Sequence, residues 1–154
     1  MKSYKPILCL DFDGVVHSYK SGWKGARNIP DPPTDGAIEF IHGALIAGWD
    51  VVIHSSRARY WGGISEMRSW LKKHAGLIWN DGLGFPGLED VRFARWKPSA
   101  LVTIDDRALT FSGSWSDYPL DGLRAFQPWN KRLTKIEPAL GIDLAALQAL
   151  RKSS

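Results

Sequence analysis

Residues 7–17 read "ILCLDFDGVVH". The first four are apolar and β-prone, the signature of a buried strand. Two aspartates then follow with one Phe between them. A buried carboxylate is costly unless it is paired, protonated or bound to a metal. Asp11 and Asp13 therefore mark either a fault in the core or a site built at the end of a core strand.

Working outward from residues 6–10 as strand one, strand and helix alternate. A polar loop bearing Gly and Pro, residues 15–33, leads to Thr34 or Asp35 as the cap of a helix over residues 36–47, with Gly48 as its stop. "WDVVIHS", residues 49–55, is strand two. Residues 64–75 form a second amphipathic helix ended by Gly76, and residues 77–79, "LIW", a short third strand. Residues 80–96 are irregular. "SALVTI", residues 99–104, is strand four, "LRAF", residues 123–126, a short fifth, and Asp143 caps a last helix over residues 144–152. Strands alternating with helices predict an α/β fold with a mainly parallel, five-stranded sheet.

The 154 residues suit one domain, residues 1–154, and no linker, repeat or low-complexity tract divides them. No apolar run approaches the roughly 20 residues that cross a bilayer. The start of the chain does not have the form of a secretory signal, and the single cysteine, Cys9, reads as a small core residue. A cytoplasmic protein is expected, with no membrane contact and no obligate protein partner. Net charge is +4 and Trp is abundant, with 8 copies. The scattered basic residues favour anionic partners mildly.

Polar groups collect at strand ends. Strand one delivers Asp11 and Asp13, strand two Ser55, Ser56 and Arg57, and strand four Asp105 and Asp106, with Lys97 just before it. Ligands of open α/β sheets bind beyond the carboxyl ends of strands, where strand order reverses. These groups meet there if strand one lies between strands two and four. Two carboxylates about 4 Å apart repel by about 4 kcal/mol at an effective dielectric of roughly 20. Oxygen donors suit a hard cation, Mg²⁺, which takes one or two carboxylates plus waters and phosphate. A nucleophile or base, a metal and oxyanion donors fit phosphoryl transfer. Side chains at i and i+2 of an extended segment point the same way, so Asp11 and Asp13 can face one substrate. Gly14 lets the chain turn sharply beside them.

"LDFDGVV", "VIHSS", the Lys of "RWKPS" and "VTIDDR", in that order, resemble the four motifs of the haloacid dehalogenase-like (HAD) hydrolases, over about two-thirds of the chain. The resemblance implies a three-layer, Rossmann-like fold and a phosphatase working through an aspartyl-phosphate. It implies Asp11 as nucleophile, Asp13 as acid and base, and Lys97 as charge stabiliser. Ser55 would bind the substrate phosphate, with Ser56 and Gly14 expected around it, and Arg57 is expected either on the substrate phosphate or in a salt bridge. Mg²⁺ would sit on Asp11, the main-chain carbonyl of Asp13, and Asp106 or its neighbour Asp105. The two usual sites for a cap domain, residues 15–33 and 80–95, are too short to fold alone, so the chain resembles a capless member with an open site. Such a site admits large phosphorylated substrates: nucleic-acid ends, nucleotides or phosphoproteins. "SSR", "SWL" and "DDR" are also similar to stretches of the phosphatase domain of polynucleotide kinase-type proteins.

Two other classes compete. A signalling receiver also phosphorylates an Asp near Mg²⁺, but its motif order differs. A non-catalytic phosphate- or ligand-binding module on the same fold would not need both strand-one aspartates, and both are here.

Overall fold

In the computed structural model, which describes residues 4–132, four parallel strands form one sheet. They are β1 (Ile7–Leu10), β2 (Asp50–His54), β3 (Arg92–Ala94) and β4 (Val102–Ile104), in the order β3-β2-β1-β4. Leu8 pairs with Val51 and Val102, and Leu10 with Ile53 and Ile104. Strand β1 thus lies between β2 and β4. The chain builds β1, β2 and β3 in one direction and returns to the far side of β1 for β4. Strand order reverses at β1 and β4, which opens a crevice past their carboxyl ends.

The period of two along each strand puts Leu8, Leu10, Val51 and Ile53 in one core. Helix α1 (Ala37–Ile46) adds Ile38, Ile41 and Ala44, and α2 (Gly63–Trp79) adds Met67, Trp70, Leu71 and Ala75. Both helices therefore pack on the same face. That is the outcome of two right-handed crossovers made in the same direction. Cys9 and Val52 are buried too but stand outside this core. Within residues 4–108, α1 and α2 cover one face of the sheet.

Several expected elements differ. The sheet has four strands, not five. Residues 77–79 are the last turn of α2, since a three-residue apolar run does not tell helix from strand. Gly76 does not stop that helix. It is a close approach, where a Cβ would meet the Gly82 backbone at 3.0 Å. The stop is Asn80, left-handed at φ 58°. The third strand is Arg92–Ala94, inside the stretch expected to be irregular, and the Arg92 guanidinium grips the Asp50 carboxylate on β2. Residues 123–126 overlap α3 (Leu120–Arg124) and form no strand. Neither Thr34 nor Asp35 caps α1; Gly36 does at φ 79°, and the Thr34 hydroxyl donates instead to the Val15 carbonyl at 2.5 Å. The expected last helix, residues 144–152, lies outside the described residues.

The chain divides into two compact units, residues 1–108 and 109–154. In the described part of the second, Phe111, Trp115 and Tyr118 stack on one another ahead of α3 and α4 (Trp129–Arg132). Among the described residues no helix is long and apolar enough to cross a membrane.

One glycine joins the fold to the site. Gly63 opens α2, and a Cβ there would lie 2.0 Å from the carbonyl oxygen of Arg57. Backbone cannot yield as a flexible side chain can. Gly63→Ala is expected to cost about 3 kcal/mol or more, read as a lower denaturant midpoint at unchanged m-value.

Candidate active site

Asp11 follows β1 directly, and its N–H still extends the ladder to the Ile104 carbonyl at 2.9 Å. The chain then coils. The Phe12 carbonyl accepts the N–H groups of Val16 at 3.0 Å and His17 at 2.8 Å, while the Phe12 ring enters the core. Gly14 sits at φ 87°, and a Cβ on it would lie 2.5 Å from Asp106 Oδ2. Glycine is needed here so that the Asp106 carboxylate can lie against the loop. The Gly14 N–H bonds to the His17 carbonyl at 2.8 Å rather than reaching toward a phosphate as expected.

Asp11, Asp105 and Asp106 each offer a carboxylate oxygen, and these atoms all lie within 4.8 Å of one another. Burial pushes Asp11 up to about 7, and the charges of Asp105, Asp106 and Asp13 add to the rise against a hydrogen bond from the Phe12 N–H. Asp106 is raised by burial as well, against the pull of Arg107. Its Oδ1 is buried with no hydrogen-bond partner. Three crowded carboxylates, one with an orphaned oxygen, are a donor set for a hard cation. This cluster can hold a metal ion. Asp13 gives it no carboxylate oxygen.

Folding raises the Asp11 pKa from 3.8 to about 7. Across that window the folded chain keeps a proton that the unfolded chain has lost, so metal-free stability falls as pH rises from about 4 to about 7. A divalent cation should therefore raise the melting temperature much more at pH 8 than at pH 5. An equal rise at both would contradict the cluster as its site.

Asp13 faces the same pocket as Asp11, one of about 310 Å³ also lined by Ser55, Ser56 and Asp105. Its carboxylate is held from the protein side. Arg57 Nε lies 2.8 Å from Oδ2 and 3.0 Å from Oδ1, and His17 Nδ1 lies 2.8 Å from Oδ1. Of the two roles expected for Arg57, substrate phosphate or salt bridge, it takes the salt bridge: it is fully buried, and its Nη1 donates to the carbonyls of Gly25, Ala26 and Asn28. The 3-10 turn Ser56–Arg59 sends this side chain inward, so it ties the loop to Asp13. Ser55, the cap of that turn, is buried and its Oγ accepts the Arg57 N–H at 3.3 Å. The hydroxyl proton has no acceptor among the described residues, which leaves it able to donate to a ligand.

Lys97, expected beside the nucleophile, is exposed on the link between β3 and β4 and does not line the pocket. It makes no ion pair among the described residues. The cations that do line the pocket are Arg59 and Arg107, with Tyr19, Trp23 and His54. The Arg107 N–H donates to Asp105 Oδ1 at 2.8 Å, and its Nε lies 3.8 Å from Asp106 Oδ2. His54 and Ser55, neighbours in sequence, both reach the pocket, because the strand ends there. Burial and the charges of Arg59 and Lys97 hold His54 below its ordinary value. Arg107 was foreshadowed by "DDR", where a cation follows two carboxylates. Tyr19 takes a left-handed backbone at φ 56°, which no local sequence signal announces. No family model, curated protein or solved structure matches the chain.

Proposed function

We propose that the chain is a Mg²⁺-dependent phosphomonoester hydrolase of the HAD-like, Rossmann-like type, acting through an aspartyl-phosphate. The observation that carries this reading is the convergence of Asp11, Asp105 and Asp106 beside a pocket that Asp13 and Ser55 also line. In this reading an oxygen of Asp11 attacks phosphorus, and the bond to the leaving oxygen breaks as that oxygen takes a proton from Asp13. Water then gives a proton to Asp13 and attacks the same phosphorus, which releases phosphate and regenerates Asp11. Ser55, Arg59 and Arg107 donate to the phosphoryl oxygens, with Arg59 and Arg107 in the place that the resemblance gives to Lys97. Mg²⁺, held by Asp11, Asp105 and Asp106 with the Asp13 carbonyl, supplies positive charge against the phosphate when bound.

The surroundings of the pocket favour a large substrate. Trp23 lines it with Arg59 and pairs with Tyr60 at 5.9 Å, and a second cleft carries Trp61, 84% exposed, with the Arg27 guanidinium 5.1 Å from its ring. Aromatic faces between basic side chains suit the stacked bases and phosphates of a nucleic-acid end. The test is hydrolysis of p-nitrophenyl phosphate and of phosphorylated DNA and RNA ends, each with Mg²⁺ and with chelator. Mg²⁺-dependent release of phosphate, with kcat/KM highest on the nucleic-acid ends, is the expected result. Mg²⁺-dependent binding of phosphate esters without turnover would replace the enzyme with a binding module.

A further inference from the structure

The loop of residues 18–33 is closed by the Ser18 N–H on the Pro32 carbonyl at 2.9 Å and by the Asp31 side chain. Asp31 Oδ2 accepts the Ser21 N–H at 2.7 Å, and its Oδ1 accepts the Ser21 hydroxyl at 2.6 Å. Its main-chain carbonyl accepts Trp70 Nε1 at 3.1 Å, which pins the loop to α2. The same Asp31 Oδ2 lies 3.7 Å from His17 Nε2, and the opposite nitrogen of that ring is the one on Asp13. His17 is fully buried. Phe12 stacks on it at 5.5 Å, and Trp70 and Tyr19 meet it edge-on at 5.6 and 5.9 Å. The imidazole therefore has no room to turn.

We propose that His17 and Asp31 are positioning residues that fix which oxygen of Asp13 carries the transferred proton. This rests on the phosphatase reading above. Oδ1 of Asp13 receives two donors, His17 Nδ1 and Arg57 Nε, while Oδ2 receives only Arg57 Nε. A carboxyl oxygen has two lone-pair sites, so Oδ1 is filled and Oδ2 keeps one open. The proton leaves from Oδ2 to the leaving oxygen in the first half-reaction and returns to Oδ2 from water in the second. With His17 loosened, the carboxyl group rotates and the proton is misaligned. In the first half-reaction only substrates that need the proton suffer, because a phenolate that leaves as a stable anion does not, whereas hydrolysis of the intermediate slows alike for all.

The test compares the wild type with His17→Gln and Asp31→Asn on aryl phosphates whose leaving phenols run from weakly to strongly basic, in saturating Mg²⁺. In kcat/KM, which reports the steps up to release of the phenol, both variants should match the wild type on the best leaving group. They should lose kcat/KM progressively to about 100-fold on the worst. Asp13→Asn should show the same trend more steeply. Asp31→Asn conserves size, so it decides the matter if His17→Gln does not fold. A loss equal across the series, or no loss, overturns the positioning role while the wild type's Asp11-dependent activity keeps the phosphatase reading intact. A wild type without Asp11-dependent activity overturns both.

Discussion

Asp11→Asn is expected to lower kcat by about 10⁴-fold or more, because the amide removes the attacking oxygen's charge and residues acting as one unit fail together. The same change should make the metal-free protein more stable. Asp11 is raised to about 7 by burial and by its carboxylate neighbours, so its ionised form opposes folding near neutral pH. A neutral amide of the same shape removes that burden. Activity lost with stability gained is the pattern of a site where charge is held for chemistry. Phosphate release and a thermal melt in chelator at pH 8 check both halves. A destabilised Asp11→Asn that retained turnover would contradict the account of this residue.

Arg57→Ala is expected to cost about 3–5 kcal/mol of folding stability, the usual result of removing one partner from a buried ion pair. It takes Arg57 Nε from both oxygens of Asp13, leaving only His17 on that carboxylate, and one donor from the carbonyls of Gly25, Ala26 and Asn28. It also uncovers Trp23, whose ring lies 4.8 Å from the guanidinium. Arg57→Lys should not rescue it, since one ammonium cannot reproduce a planar fork that reaches a carboxylate and a loop together. Denaturant unfolding measures the loss. A change within about 0.5 kcal/mol, ordinary for a surface site, would mean that Arg57 does not hold the loop.

Much of the site was legible because charge in the wrong place is a loud signal. Aspartates at the ends of two apolar strands have few explanations; the strand order that brings them together stood only as a condition, which the order β3-β2-β1-β4 meets. Asp11, Asp105 and Asp106 meet as that reading required. The role of Arg57 stayed open between substrate and salt bridge because sequence order places it after Ser55 but does not show which way a 3-10 turn throws its side chain, and the structure takes the salt bridge. Lys97 was misread for a similar reason, since a long side chain on an open link has no fixed reach. Strand β3 was missed because three residues are too few to show a period. Nothing in the sequence sets His17 apart, and only the coiling of the chain around the Phe12 carbonyl brings it back against Asp13.

The most direct test of the central claim is to trap the covalent species. Enzyme and substrate are mixed with Mg²⁺, quenched in acid within the first turnover, digested and weighed by mass spectrometry. The account predicts one phosphoryl group on the peptide bearing Asp11, absent from Asp11→Asn and more abundant in Asp13→Asn, where hydrolysis of the intermediate is slowed. Phosphate found on Ser55 or His54, or an active wild type with no phosphoenzyme at Asp11, would contradict it.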